Sequence, residues 1–517
     1  MIYFCNQLFV QKSVPNNIAI RRVKKKRFLG EFIFYIVGQY FVLTIYYKMI
    51  VLREHQILPI QFIKDNFGLI IYHSLGTGKT ITSLMGMNQF KKEVVIIGPK
   101  SSKKIFMDEI DKLKLDKDKF KIFSYKKIIK ILYDKIEYLQ DKCVIVDEAH
   151  HLRSETRDNS FIVDALGLSF RVFLLTATPI VNYLNDIAVL VNIVKKSNVL
   201  PRERNLFNFL YFNEERLELI NEDILLGKIK STLSYYERND DPNYPKTTVI
   251  IKKVQMNKEQ ILEYGKFVIK FLKQKESLFD ENMRVRVNVL KVKFDLLSTK
   301  ARNAFLTASR QISNTIDGRE DFPKIQAIFS KLTEGEFPKV VYSNFLKNGI
   351  YPLVKLLNKT DFSYRIITGQ TSQDKIGEIV DKYNKGQVNI LLLSSAGSES
   401  LDLKNTRQIH VEEPHWNDAK IQQVIGRAIR YKSHEALPPE NRLVEIYKWV
   451  AVFPKALESK SADEYLIEIS NKKEKIFSEF KKILIKASIE RNWLRQTAGH
   501  FKKKYIKYKK KYMNLRI

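Results

Sequence analysis

The chain has 517 residues, 44% of them hydrophobic, so it is too long for a single hydrophobic core and we expect roughly two to four domains. Its 89 lysines and arginines against 57 aspartates and glutamates give a formal net charge of +32. Such a charge is expected of a protein that binds a polyanion, and compositional drift toward lysine is the alternative explanation. The two cysteines, Cys5 and Cys143, lie far apart, which excludes a disulfide framework and a zinc cluster and fits a reducing compartment.

Residues 1–50 are treated as an N-terminal extension, which contains an uncharged run at 32–47 (FIFYIVGQYFVLTIYY) after a basic cluster at 21–27. The run is shorter than the roughly 20 residues of a membrane-spanning helix and is rich in β-branched and aromatic residues. We therefore predict buried strands, with a membrane segment as the alternative. No small-residue cleavage site follows, so a secretory signal is not expected.

A strand, a loop and a helix follow one another over residues 68–84, and the loop ends in Gly76-Thr77-Gly78-Lys79-Thr80. The two glycines let successive backbone N–H groups point at a phosphate, and the helix N-terminus adds positive charge. Lys79 would reach the β- and γ-phosphates, and the Thr80 hydroxyl would ligate Mg²⁺. Because a bare Gly-Lys-Thr also arises by chance, an ordinary turn before a helix is the alternative.

Two residues near this loop need separate interpretation. His73 occupies the position where the general phosphate-loop pattern has its first glycine, which is a departure from that pattern. Gln56 lies on a stretch, 52–62, that has helical spacing. Its amide can offer adenine one donor and one acceptor, so we predict a nucleotide contact. A solvated helix face is the alternative.

An apolar strand at 143–146 ends in the acidic pair Asp147 and Glu148. In an open parallel sheet, ligands bind at the carboxyl ends of the strands. There, Asp147 can hold Mg²⁺ through water while Glu148 polarises the attacking water, a division that phosphoryl transfer requires. A buried strand followed by an acidic helix cap is the alternative.

Two further apolar strands end in polar residues. The run at 93–97 is followed by Lys100 and Ser101, which could contact a nucleic-acid backbone or lie in a solvated turn. The run at 171–175 is followed by Thr176 and Thr178, which could hydrogen-bond toward the acidic pair and relay the nucleotide state. By themselves these threonines are also an ordinary strand exit.

The later part of the chain divides by composition and spacing. We assign 51–196 to a first α/β domain and 197–318, which is mostly helical by spacing with one strand at 247–254, to a linker or insertion. A second α/β domain at 319–455 is indicated by apolar runs at 339–342, 364–368, 388–393 and 408–411. Residues 456–517 are a basic helical extension, in which 501–512 alternates lysines and tyrosines that could bind phosphates and bases or form a solvated helix.

Arg427 and Arg430 stand three residues apart in the second domain, so we predict that both lie on one helix face. Two guanidiniums so placed can stabilise a γ-phosphate held by the other domain, an effect of about 10³-fold or more. Gly426 would permit the close approach, and Gln423 on the same helix is assigned to the nucleotide site. Solvated surface arginines are the alternative.

Taken in this order, the motifs resemble those of a superfamily 2 helicase: 76–80 is similar to motif I, 147–150 to the DEAH form of motif II, 176–178 to motif III, and 423–430 to motif VI. The runs at 394–404, 409–417 and 424–431 are similar to the poxvirus nucleoside triphosphatase I group and its relatives in other large DNA viruses, which are akin to Swi/Snf translocases. Ser343 and Asn344 fit motif IV more loosely. Ser400 is a departure, because many relatives have glycine there.

This resemblance implies an α/β fold of two RecA-like domains, with parallel sheets flanked by helices, a helical insertion and a basic helical C-terminal extension. It implies ATP and Mg²⁺ in the cleft, DNA or RNA held mainly through phosphates, and no membrane. It also implies a role in viral transcription, in the virion or host cytoplasm, with viral RNA polymerase or transcription factors as possible partners.

Two other functions stay open at this point. One is a translocase that releases polymerase or remodels protein–DNA complexes without separating strands. The other is a catalytically silent subunit of a transcription factor, although such a scaffold needs none of Lys79, Glu148 and Arg430.

Overall fold

The computed structural model describes residues 23–26, 31–37, 40–47, 50–237, 243–273, 290–395, 401–415 and 418–491. Ser400 and the basic segment 501–512 lie outside these ranges. Before residue 52 only the backbone is described.

The N-terminal extension contains a four-stranded antiparallel sheet. Its strands are β1 (Val23–Lys26), β2 (Glu31–Val37), β3 (Tyr40–Tyr47) and β4 (Ile50–Val51). The strands predicted at 32–47 are therefore confirmed as β2 and β3, while their burial stays a prediction. Within the described ranges, no helix has both the length and the apolar character needed to cross a bilayer.

The first α/β unit, called lobe 1 below, is built on a six-stranded parallel sheet. Its elements are α1 (Glu54–Phe62), β5 (Gly68–His73), α2 (Lys79–Asn88), β6 (Val94–Gly98), α3 (Ser102–Lys112), β7 (Phe120–Ser124), α4 (Tyr125–Asp134), β8 (Cys143–Val146), α5 (Arg157–Gly167), β9 (Arg171–Thr176), α6 (Ala188–Lys195), α7 (Arg204–Tyr211), β10 (Phe212–Asn213), β11 (Glu218–Leu219), α8 (Glu222–Ile229) and β12 (Leu233–Tyr236).

The strand order in lobe 1 is β12-β5-β9-β8-β6-β7. Both faces of the sheet are covered, so successive residues of one strand enter different cores: Leu69 and Ile71 pack on one face and Ile70 on the other. The phosphate loop follows β5, the acidic pair follows β8, and Thr176 is the last residue of β9, which lies between those two strands. Because these strands are parallel, all three groups emerge at the same edge of the sheet.

The second unit, called lobe 2, has a second six-stranded parallel sheet, in the order β13-β18-β17-β14-β16-β15. Its elements are β13 (Lys246–Gln255), α9 (Lys258–Leu272), α10 (Thr299–Asn314), α11 (Pro323–Thr333), β14 (Lys339–Ser343), α12 (Tyr351–Leu357), β15 (Tyr364–Ile367), α13 (Gln373–Asn384), β16 (Ile390–Ser394), β17 (Gln408–Val411), α14 (Asp418–Ala428) and β18 (Leu443–Val452). The four predicted strands are confirmed as β14 to β17.

The segment 197–318, predicted to be a mostly helical linker, contributes a strand to each sheet. The strand predicted at 247–254 is β13, which pairs with β18 of lobe 2. The four-residue β12 pairs with β5 and was not predicted, because its sequence LSYY is too short to show a period. The predicted domain bounds themselves stay predictions.

The C-terminal extension is helical in its described part and links the two lobes. Helix α15 (Ala462–Ala487) begins at the capping box of Ser461 and Glu464. Its first turns, with Leu466, pack in a lobe 2 core beside Phe453. Its last turns, with Phe480, pack in the lobe 1 core. At 26 residues the helix is about 39 Å long, enough to span both lobes.

Replacing Phe480 by alanine should destabilise lobe 1, because its ring is fully buried beside Phe207. Loss of a buried aromatic ring costs about 3–5 kcal/mol. Denaturant unfolding followed by circular dichroism measures this. The matched control on the same helix is Lys482→Ala, whose exposed ammonium pairs with Glu479 at 2.7 Å and should change stability by less than about 1 kcal/mol. Equal stability of both variants would show that the end of α15 does not pack on lobe 1.

Candidate nucleotide site between the lobes

A cavity of about 830 Å³ lies between the lobes and is lined from both sides. Every residue that the sequence assigned to nucleotide, metal or catalysis lines it. Lobe 1 supplies Gln56, Gly76, Thr77, Gly78, Lys79, Thr80, Asp147 and Glu148, and lobe 2 supplies Gln423, Arg427 and Arg430. The predicted residues therefore lie together, while the role of each stays a prediction.

The phosphate loop has the backbone that its glycines predict. Gly76 and Gly78 have φ angles of +74° and +89°, in the left-handed region that other residues rarely adopt. Gly78 is also the N-cap of α2. A Cβ at this position would lie 2.5 Å from Nε2 of Gln56. Only glycine therefore fits the turn into the helix.

Lys79 is held at the mouth of the loop. Its Nζ donates to the carbonyl oxygens of His73 at 2.8 Å and Ser74 at 3.1 Å. Burial lowers its pKa to about 8, although the Glu148 and Asp147 carboxylates act to raise it. An ammonium has three N–H donors, and these two carbonyls accept from two of them, so the third can donate to a phosphate.

His73 has a different structural role from the first glycine of the general phosphate-loop pattern. Its fully buried Nε2 lies 2.7 Å from Oγ of Ser234 on β12. That hydroxyl donates to Glu490 at 2.5 Å, so it must accept from the histidine. Burial lowers the pKa of His73 well below its ordinary value, so the ring is neutral. The side chain thus ties β5 to β12 and to the residues after α15, and only its carbonyl faces the loop.

Gln56 is buried on α1 rather than solvated, so that alternative is wrong. Its Oε1 accepts from the Arg53 backbone N–H at 2.9 Å, and its Nε2 donates to the Gly78 carbonyl at 3.3 Å. The amide therefore joins the start of α1 to the phosphate loop, and adenine recognition stays a prediction. Beside it, the Arg53 guanidinium lies 3.4 Å from the ring centroid of Tyr431 in lobe 2.

The acidic pair is fixed at the end of β8. Asp147 Oδ2 accepts from the Ser102 hydroxyl at 2.6 Å. His150 Nδ1 lies 3.3 Å from both Glu148 Oε2 and Thr176 Oγ1. Because burial lowers the pKa of His150 to about 3, this ring is neutral, so its contact with Glu148 is not an ion pair and its contact with Thr176 is a hydrogen bond.

The structure supports only part of the predicted role of the two threonines. Thr176 reaches the acidic motif through His150 and not directly. The Thr178 hydroxyl has no hydrogen-bond partner among the described residues, so the predicted bond to the acidic pair is wrong for this residue. Of the predicted nucleic-acid contacts, Ser101 lines the cavity and Lys100 is exposed beside it.

The arginines of lobe 2 face the loop, with one correction. Helix α14 ends at Ala428, so Arg430 lies just beyond it and not on the same helix face as Arg427. Both nevertheless line the cavity. A Cβ on Gly76 would lie 3.1 Å from Cγ of Arg430, whose Nη1 lies 3.0 Å from Asp402.

The lobes touch at Gly426, because a Cβ added there would lie 2.4 Å from Cδ1 of Leu75. The sequence predicted this close approach for the glycine but not its partner. It also missed Ser102, which begins α3 shortly after β6 ends, and Tyr125, which begins α4 directly after β7 ends. The rule that placed Asp147 at the sheet edge applies to them too and could have found them.

Comparisons with known proteins agree with this geometry. Residues 92–316 match the family described as SNF2-related domain, and residues 321–432 match the helicase conserved C-terminal domain. A protein of Acanthamoeba polyphaga mimivirus, named "Putative ATP-dependent RNA helicase", is 48% identical over 444 residues, which cover 86% of this chain and 99% of that protein.

Two other matches are more distant. A "Termination factor NPH-I homolog" of African swine fever virus is 24% identical, covering 82% of this chain and 76% of the relative. The solved Sulfolobus solfataricus SWI2/SNF2 ATPase core in complex with dsDNA is 17% identical with a TM-score of 0.34, covering 78% of this chain and 88% of that one. The mimivirus match and the two matched domains establish that this chain belongs to the SNF2-related family of ATP-dependent helicases and translocases.

Proposed function

We propose that this chain hydrolyses ATP in the cavity between its lobes and uses the closing and opening of the lobes to move on nucleic acid. The observation that carries the proposal is that phosphate-binding, acidic and arginine groups from two distant parts of the sequence line one cavity. Such a divided site is complete only when the lobes meet, so chemistry and lobe movement are coupled.

The residues fit a magnesium-bound triphosphate. The loop supplies N–H groups and the Lys79 ammonium for phosphate oxygens, and Thr80 and Asp147 would hold the metal. Mg²⁺ bound there would neutralise charge on the phosphates during transfer. The Ser102 hydroxyl at 2.6 Å fixes the orientation of the Asp147 carboxylate toward this position.

Glu148 is assigned to the attacking water, which its carboxylate polarises. Arg427 and Arg430 supply positive charge from lobe 2, where negative charge develops on the transferred group. The Nε of Arg430 is buried and has no hydrogen-bond partner among the described residues, so it retains a donor for an incoming anion. An anion would also compete with Asp402 for this guanidinium.

The nucleic acid would be held mainly through its phosphates, in keeping with the net charge of +32. By analogy with the names of its relatives, we assign the chain to viral transcription in the virion or the host cytoplasm, with viral RNA polymerase or a transcription factor as partner. An ATPase titration with single-stranded DNA, single-stranded RNA and duplex DNA identifies the activating strand.

Translocation without unwinding is the second candidate function. A displacement assay on forked duplexes, run beside a triplex-disruption assay, separates the two. Disruption of the triplex without release of a strand from the forked duplex would identify a translocase. Disruption of the triplex together with release of that strand would identify a helicase.

Loss of the phosphate lysine and loss of the arginine should have different effects. Lys79→Ala should abolish nucleic-acid-stimulated ATPase and weaken nucleotide binding. Arg430→Ala should leave binding nearly unchanged and lower kcat by about 10³-fold, because the arginine acts on charge that develops during transfer. The control is Arg365→Ala, an exposed arginine of β15 that does not line the cavity. Normal turnover in either purified site variant would contradict the assignment.

Nucleotide affinity should fall as the pH rises above about 8. Lys79 in the free site has a pKa of about 8, and a triphosphate binds the protonated form. Below that pH the Lys79 ammonium is already charged. Above it, each pH unit should lower the affinity by up to about tenfold, until the pH reaches the higher pKa that Lys79 has when the triphosphate is bound. Calorimetric titration from pH 7 to 9 measures this and the accompanying proton uptake.

The control for the pH dependence is Lys79→Arg, which stays charged throughout this range. Its affinity should be flat between pH 7 and 9, whatever its absolute value. The same slope in both proteins would show that another group titrates.

A further inference from the structure

The backbone of Glu148 is held in an unusual conformation. Its φ and ψ are +50° and +49°, the left-handed region. This conformation is sterically disfavoured for a residue with a side chain, so the surrounding structure must hold Glu148 there. The turn ends strand β8 and redirects the chain at the residue assigned to the attacking water.

The Tyr125 hydroxyl lies against this turn from the first residue of α4. It donates toward the carbonyl oxygen of Asp147 at 2.8 Å and that of Glu148 at 3.2 Å. Burial, with the two nearby carboxylates, raises the pKa of Tyr125 well above its ordinary value, so the hydroxyl keeps its proton. The backbone N–H of His151 also donates to the Glu148 carbonyl, at 3.0 Å.

One hydroxyl can meet both carbonyls only because the chain turns between them. In a strand, successive backbone groups point to opposite sides, so an extended Glu148 would direct its carbonyl away from the tyrosine. The pair of contacts therefore fits a turned backbone at Glu148 and not an extended one. Loss of the hydroxyl would take one donor from each carbonyl, although the Glu148 carbonyl would keep the His151 N–H, and it would remove this preference.

We propose that Tyr125 is a positioning residue for ATP hydrolysis, which holds the backbone at Glu148 so that its carboxylate faces the cavity. The inference rests on the proposed function, because it acts through the carboxylate assigned to the water. Tyr125 does not line the cavity itself and is not a catalytic residue.

Tyr125→Phe should lower kcat by about tenfold, the equivalent of one net hydrogen bond. The KM for ATP and the affinity for a fluorescent ADP analogue should change little. The denaturant unfolding midpoint should fall only modestly, because one hydrogen bond is lost while the ring and its packing remain. The control is Tyr133→Phe on the same helix, whose exposed hydroxyl donates to Asp158 at 2.8 Å. It should keep full turnover.

A double-variant cycle separates positioning from a general structural role. In single-turnover assays, Tyr125→Phe added to Glu148→Gln should cause no further loss, because the carboxylate through which the tyrosine acts is already absent. The same tenfold loss in both backgrounds would overturn the inference, as would unchanged kcat in Tyr125→Phe alone. If Glu148→Gln itself retained full turnover, the assignment of Glu148 in the proposed function would fail instead.

Discussion

The contact between Gly426 and Leu75 sets the distance between the two lobes. A side chain at residue 426 would overlap Leu75, so the backbone of lobe 2 lies directly against the phosphate loop of lobe 1. This brings Arg427 and Arg430 to a loop that lies about 350 positions earlier in the chain. Two sheets that fold separately thereby share one cavity, and any movement at this contact changes the site.

Burial explains the protonation states around the cavity. Burial lowers the pKa of Lys79, so its charge depends on nearby carboxylates and on an incoming anion. It also keeps His73 and His150 neutral, so both act as hydrogen-bonding links between strands rather than as charges. In this setting electrostatic interactions are stronger than in bulk water, which suits a reaction that depends on positioning and charge.

The sequence predicted the sheet edge well because apolar runs followed by Lys79, Asp147 or Thr176 show both a strand and its polar end. It could not predict β12, because four residues are too few to show a period. It also could not predict that α15 packs Phe480 in the core of lobe 1, because a contact between distant parts of the chain leaves no periodic pattern in the sequence. The role of Tyr125 was also hidden, since its contacts are to backbone carbonyls rather than to side chains with a recognisable pattern.

The central claim, that the lobes meet over one nucleotide site, is tested most directly by cross-linking Leu75→Cys to Gly426→Cys. A Cβ at 426 would lie 3.0 Å from that of Leu75, close enough for a disulfide after a small outward shift. The account predicts an intramolecular cross-link in the double variant and in neither single variant. The cross-link should form faster when a non-hydrolysable ATP analogue is bound. ATPase activity should be lost on cross-linking and should return on reduction. Absence of the cross-link both with and without nucleotide would contradict it.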